Sequence, residues 1–270
     1  MKDKVVIITG GSSGIGLALA HEFGKLKAKV VITARNAGRL STAADELRRH
    51  KVEVLHLVSD VSNEEDCRAL IDKTIETFGR IDVLINNAGI SMRSAFKDTD
   101  LKVIRSLMDI NFWGTVYCTK FALPYLLQTR GSVVGIISVA GYIGLPGRTG
   151  YSASKFAIRG FLDTLRCENE KTGLHVMLAA PGFTSTNIRK AALLGDGSIQ
   201  GNTPRDENKM MSAEKAAHKI ARAIVKRKNT IILTFFEGKL AIFLNRFIPG
   251  MVSHLTFKHM AKEPEAPIKN

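Results

Sequence analysis

The sequence predicts a seven-stranded, doubly wound parallel α/β sheet in a single domain spanning residues 1–270, with helices on both faces. Three observations carry this. Short β-branched runs alternate with longer stretches of helical period along most of the chain. The runs are almost continuously apolar, as strands covered on both faces require. The length of 270 residues, 45% hydrophobic and 24% charged, is enough for one ample core.

Taken in order, the predicted strands are residues 4–10 (KVVIITG), 29–33 (KVVIT), 52–58 (VEVLHLV), 82–87 (DVLINN), 132–138 (SVVGIIS), 175–180 (HVMLAA) and 230–234 (TIILT). Each is rich in Val, Ile or Leu and too short for a helix. Between them, Gly16–Lys27, Leu40–Arg49, Glu64–Phe78, Leu101–Gln128 and Ser152–Lys171 have helical period. Seven strands in one series joined this way make a doubly wound sheet. Arg189–Lys209 breaks the rhythm with Gly195, Gly197, Gly201 and Pro204. It reads as a mobile loop inside a variable substrate segment, 188–210. Residues 235–270 form an apolar and basic C-terminal extension, and no internal repeat or low-complexity tract is present.

The composition narrows the function classes. Three cysteines, Cys67, Cys118 and Cys167, are set far apart and give neither a disulfide framework nor a metal-ligand spacing. No metal is expected, and a reducing, cytoplasmic setting is the simplest reading. The N-terminus enters a strand pattern at once, with no signal-peptide pattern, and no uncharged apolar run reaches the length of a membrane-spanning helix. The formal charge is +14. Residues 201–270 hold 13 Lys+Arg against 6 Asp+Glu, so half of that excess lies in the last quarter. Without a zinc-finger spacing, RNA-binding signature or arginine-rich tail, nucleic acid is not the expected partner.

The turn TGGSSGIG, Thr9–Gly16, links the first strand to the first helix. Gly10 permits the sharp turn, Gly14 lets backbone approach a phosphate, and Gly16 lets the helix pack closely on the strand. The helix N-terminus then points free N–H groups and a positive dipole end at a pyrophosphate. Gly/Ser-rich turns also join strands to helices with no ligand; the position after the first strand favours binding.

Four motifs now stand in one order: T-G-x-x-x-G-I-G at Thr9–Gly16, N-N-A-G at Asn86–Gly89, a serine at Ser138, and Y-x-x-x-K at Tyr151–Lys155. Together they resemble the short-chain dehydrogenase/reductase family over about residues 4–187. The resemblance implies a Rossmann-type fold, a nicotinamide cofactor and a homodimer or homotetramer. Ser12, Ser13 and Ile15 fall within its cofactor turn. Asp60 would accept from the adenine amino group, with Val61 contributing backbone; the plainer reading of Asp60 is a helix cap, a role Ser62 could also fill. Asn87, Ala88 and Gly89 would pass beside the cofactor ribose, and Asn86 and Asn87 could also tie down strand ends. In PGFTST, Pro181 and Gly182 open the loop beside the carboxamide, which the Thr184 backbone and Thr186 hydroxyl would orient.

Strand two ends VVITARN. Ala34 occupies the position where NAD-dependent relatives carry an acid, and Arg35 follows. A guanidinium suits a 2′-phosphate and a carboxylate repels it, so NADP(H) is the expected cofactor. Ser13 lies where some NADP-binding relatives place a second basic residue, so Arg35 would act with little help.

Tyr151 stands four residues before Lys155, one helical turn away on the same face. A phenol normally loses its proton near pH 10, and a nearby ammonium would lower that value. By resemblance, Ser138 holds the substrate oxygen near Tyr151, and the Asn111 carbonyl holds a water in line with Lys155. The family's proton relay would then run through Asn111, water, Lys155 and Tyr151, with hydride supplied by the cofactor.

Residues 90–98, 139–150 and 188–210 would line the substrate pocket. They carry Met92, Phe96, Tyr142, Ile143, Leu145, Leu193 and Leu194 and few charges, so a hydrophobic ketone or alcohol is expected. The GYIGLPGRTGYSASKFAIRGF stretch is similar to reductases of long-chain keto-lipids and steroid-like ketones, including 3-ketosphinganine reductase. Reduction, the reverse oxidation, and a non-catalytic NADP-binding redox sensor are the three readings to separate. Finally, Thr230–Phe257 holds five of the 13 phenylalanines: Phe235, Phe236, Phe243, Phe247 and Phe257. This segment reads either as a strand followed by helices that cover the core or a subunit interface, or as an amphipathic surface within 235–257 meeting an anionic membrane.

Overall fold

The computed structural model describes residues 1–203, 206–207 and 210–268. Seven parallel strands form the predicted sheet: β1 (Val5–Thr9), β2 (Lys29–Ala34), β3 (Val54–Val58), β4 (Val83–Asn86), β5 (Ser132–Ile136), β6 (His175–Ala180) and, after two short strands elsewhere, β9 (Thr230–Ile232). Their spatial order is β3-β2-β1-β4-β5-β6-β9. The order reverses between β1 and β4, whose register pairs Val6 with Val83 and Ile8 with Ile85. A crevice outside the carboxyl ends of the strands is the consequence of such a reversal.

Alternation along each strand feeds two cores. Val6 and Ile8 face a layer made by α1 (Gly14–Lys25), α2 (Ala37–Arg49) and α7 (Ala213–Val225). Val5 and Ile7 face a second layer of α3 (Glu64–Phe78), α5 (Gly114–Gln128) and α6 (Thr149–Glu168). Cys67 and Cys118, remote in sequence, meet in that second core as free thiols 3.5 Å apart.

The expected helix Leu101–Gln128 is helical from end to end, but not α-helical throughout. It divides into α4 (Leu101–Leu107), a π-helical turn (Met108–Trp113) and α5. Hydrophobic period alone cannot register the one-residue widening of a π turn. Beyond Ala180, β7 (Thr184–Ser185) pairs with β8 (Met211–Ser212), joining the two ends of the predicted loop. Within the loop, Leu193 bridges to Met92 and to Ile199. Pro204 and Lys209, counted in that loop from the sequence, lie outside the described residues. After β9, a second π-helical turn (Phe235–Leu240) leads into α8 (Ala241–Phe247) and α9 (Pro249–Ala261).

Candidate active site

The glycine turn caps the crevice. Gly10 and Gly14 take left-handed φ values of 66° and 55°, conformations that a Cβ penalises. A Cβ on Gly16 would run into the Gly10 carbonyl oxygen, and one on Gly10 would come 2.9 Å from Ala88 Cα. Thr9 ties this turn to the next loop: its hydroxyl accepts from the N–H groups of Asn87 and Ala88, both at 3.0 Å. The Asn87 amide donates to the Thr9 and Gly10 carbonyls at 2.9 and 3.1 Å. Ser13 occupies the N-cap of α1, yet its hydroxyl makes no capping bond. The first turn of α1 therefore keeps N–H groups that an anion can satisfy. Half-buried Ser12 and Ile15 flank it, and Thr186 lies across from Gly14, 3.3 Å from where a Cβ there would stand. A cradle closed to side chains but open along a helix N-terminus fits a dinucleotide pyrophosphate.

At the outer edge, Arg35 and Asp60 leave the ends of β2 and β3, with Arg35 Nη1 3.9 Å from Asp60 Oδ2. Both side chains are substantially exposed, so this pair is weak and leaves the guanidinium available. Neither Asp60 nor Ser62 caps α3. Asn63 does, accepting from Glu65 and Asp66 N–H at 2.8 and 3.1 Å, while Asp60 Oδ1 is held by the Ser62 N–H and hydroxyl. Val61 packs over Gly114, where a Cβ would come within 2.8 Å of it.

At the crevice floor, Lys155 is 3% exposed, and its ammonium donates to the Ile136 carbonyl at 3.0 Å. Burial pulls this ammonium down to about 8. Gly89 separates it from Asn111: a Cβ there would sit 3.4 Å from Lys155 Nζ and 2.9 Å from Asn111 Oδ1. The π turn sends the Asn111 side chain inward, where it accepts from Ile90 N at 2.8 Å and donates to Ile90 O and to Ser154 Oγ. Ser154 in turn donates to the Tyr151 carbonyl at 2.8 Å. Asn111 thus clamps the loop after β4 to the first turns of α6. Its own carbonyl accepts from Thr115 Oγ1 at 2.8 Å and retains a second lone pair.

The phenol of Tyr151 is balanced differently from the expectation. Burial raises it; a hydrogen bond with Ser138 and the charge of Arg148 work in the lowering direction. The Lys155 ammonium lies 5.7 Å from the ring centroid and is turned to the Ile136 carbonyl. Burial prevails and holds the phenol above its ordinary value; the charge of Arg148, three residues before it, only partly offsets that. Ser138 is fixed by its own turn, accepting from Ala140 N at 3.2 Å. Val139 N donates to Pro181 O at 3.2 Å, which links the serine to the loop carrying Gly182, Thr184 and Thr186. Thr184 is buried, and its carbonyl accepts from Arg189 at 2.8 Å.

A family model described as "short chain dehydrogenase" matches residues 4–195. The chain belongs to that family. The chain is 34% identical over 268 residues to mouse "Dehydrogenase/reductase SDR family member 7B", covering 97% of this chain and 83% of the relative. It is 44% identical over 187 residues to Arabidopsis thaliana "11-beta-hydroxysteroid dehydrogenase-like 2", covering 68% of this chain and 60% of that protein. Among solved structures, the alcohol dehydrogenase from Thermococcus sibiricus complexed with 5-hydroxy-NADP superimposes with a TM-score of 0.76, at 24% identity over 87% of this chain and 98% of that one. A short-chain dehydrogenase/reductase from Burkholderia phymatum in complex with NAD gives 0.78 at 23% identity, over 100% and 98%. These two likenesses establish the Rossmann-type fold.

The fold also brings together residues that the motifs do not mark. Arg93 and Arg148, both nearly buried, converge on Glu263 of the C-terminal segment, at 3.7 and 3.3 Å from its Oε2. Arg93 donates as well to the Pro264 carbonyl. No local pattern marks a pair separated by 115 positions. Ser154 and Thr9, by contrast, lie inside motifs already singled out. The expected substrate-pocket residues divide. Met92 and Leu193 pack with Tyr151, Tyr142 and Ile143 lie under α8 and α9, and Phe96 is 61% exposed.

Proposed function

We propose that this oxidoreductase is an NADPH-dependent carbonyl reductase of hydrophobic ketones. The observation that carries the reading is the placement of Tyr151 over buried Lys155, whose Nζ lies 5.7 Å from the phenol ring centroid, below the glycine cradle. A bound nicotinamide would supply the hydride. Gly10, Gly14, Gly16 and the α1 N-terminus would hold its pyrophosphate; Asn87, Ala88 and Gly89 would line its ribose side. Asp60, Val61, Thr184 and Thr186 would complete that set. Ser138 would hold the carbonyl oxygen, and the Tyr151 hydroxyl would donate the proton that makes it an alcohol. Lys155, poised near 8, sits one turn below Tyr151 and would replenish that proton, with Asn111 fixing the backbone around it.

The apolar packing of Met92 and Leu193 against Tyr151 supports a substrate without charge near the reacting carbon, as do relatives with 11-beta-hydroxysteroid dehydrogenase-like names. The intact Tyr151–Lys155 pair argues against a sensor without turnover. Oxidation of the alcohol is the same chemistry reversed; the reduced NADP pool of cells favours reduction. The three free cysteines are consistent with a reducing, cytoplasmic setting, and exposed apolar side chains such as Leu101, Trp113 and Phe156 leave room for a second copy.

NADPH oxidation against a panel of ketones spanning chain length and ring size tests the reading. Tyr151→Phe is expected to keep NADPH affinity and lose roughly 10²- to 10⁴-fold in kcat; wild-type turnover by that variant would end the mechanism. Arg35→Ala is expected to weaken NADPH about ten- to a hundred-fold and NADH little, as loss of a charge-assisted hydrogen bond implies. A wild-type preference for NADH would overturn the cofactor assignment alone.

A further inference from the structure

Among the described residues, eight of the 16 large apolar side chains that stand exposed fall between Phe235 and Leu255. Phe235, Phe236, Phe243 and Phe247 are each at least 60% exposed, and Met251 and Leu255 about half. We propose that this face is a docking surface for an anionic lipid membrane.

The segment already has an inner face. Ala241, Ile242, Leu244 and Val252 pack on Val139 and Ile143, so the core interaction that folds α8 and α9 is made without the phenylalanines. The outer side chains recur four apart within each helix, Phe243 with Phe247 and Met251 with Leu255, and the two phenyl rings stand 5.2 Å apart. A helix apolar on both sides has a second apolar environment to meet. With 7 and 13 residues, α8 and α9 are too short to cross a bilayer. They can lie in its interface.

Charge decides between a membrane and a second copy. Residues 235–262 carry Lys239, Arg246, Lys258 and Lys262 against Glu237 alone, and all five are exposed. A two-fold contact through this face would set these cations against themselves; acidic headgroups would complement them. The docking face also adjoins the cleft, because α9 runs directly into Glu263 and its pairs with Arg93 and Arg148. A lipid-like ketone would then enter from the membrane.

Flotation of the full chain with vesicles of phosphatidylcholine, alone or mixed with phosphatidylserine, tests the proposal without any turnover, so its failure and that of the reductase reading are distinguishable. Binding is expected only with phosphatidylserine, fading as salt rises. Phe243→Ser with Phe247→Ser should reduce partitioning roughly a hundred-fold. Arg246→Glu with Lys258→Glu, which leaves the apolar face intact, should abolish the preference for phosphatidylserine and serves if the serine variant fails to fold. Wild-type protein that stays with the soluble fraction at low salt would overturn the proposal. So would a phenylalanine-dependent dimer that ignores vesicles.

Discussion

In the Thr9–Gly16 turn, each unusual backbone choice is matched by atoms elsewhere in the chain, whereas α8 and α9 meet the chain on one side only. The turn is closed: Gly16 abuts the Gly10 carbonyl, and the Thr9 hydroxyl serves two N–H groups beyond β4. The C-terminal helices rest on Val139 and Ile143 and turn their phenylalanines outward. The first kind of region tolerates almost no change in volume, and the second almost any, as far as folding alone is concerned. The difference separates residues kept for the fold from residues whose reason lies outside it.

Gly16→Val should break the closed region most severely. Its side chain has only the Gly10 carbonyl and the Asn87 amide to displace, so a stability loss of about 3 kcal/mol and loss of NADPH binding are expected from denaturant titration and fluorescence. Phe243→Ser, on the open side, should leave the denaturation midpoint nearly unchanged. Equal losses for the two would abolish the contrast.

Lys155 gives the next effect, in pH. Its folded pKa of about 8 lies below the ordinary lysine value, near 10.4. Between those two values the unfolded chain holds a proton that the folded one has released, so stability rises with pH across that window. Between pH 7 and 9.5 the wild type should gain about 2 kcal/mol relative to Lys155→Met, measured by urea unfolding at each pH. A parallel pH dependence in the two proteins would mean that the ammonium is better solvated than its burial implies.

Glu263→Gln should have the smallest global effect and sharpen the boundary between the regions. It removes the negative charge from Arg93 and Arg148, but the glutamine amide oxygen can still accept from the Arg148 guanidinium. Stability should change by about 1 kcal/mol or less, while limited proteolysis after Ala261 accelerates and Glu263→Asp partly restores protection. Unchanged proteolysis would assign the anchoring to the packing of Pro267 on Gly147.

By itself the sequence determined the seven strands, their parallel, doubly wound class and the glycine turn, because those depend on short-range periodicity and on glycines without alternatives. It also put Tyr151 and Lys155 on one helical face, since spacing along α6 is local. It missed the π turn at Asn111, because one extra residue per turn leaves the hydrophobic pattern nearly intact. It left the α3 cap open between Asp60 and Ser62 and did not consider Asn63, since all three are good caps and only backbone geometry selects among them. What only the tertiary structure decided was the electrostatic setting of the phenol and the fate of the tail. Lys155 donates to a carbonyl of β5, burial prevails over the charge of Arg148 at the phenol, and Glu263 pairs with Arg148. Such pairings join positions far apart in the chain. Burial and charge depend on which segments meet in space, and no local pattern encodes that meeting.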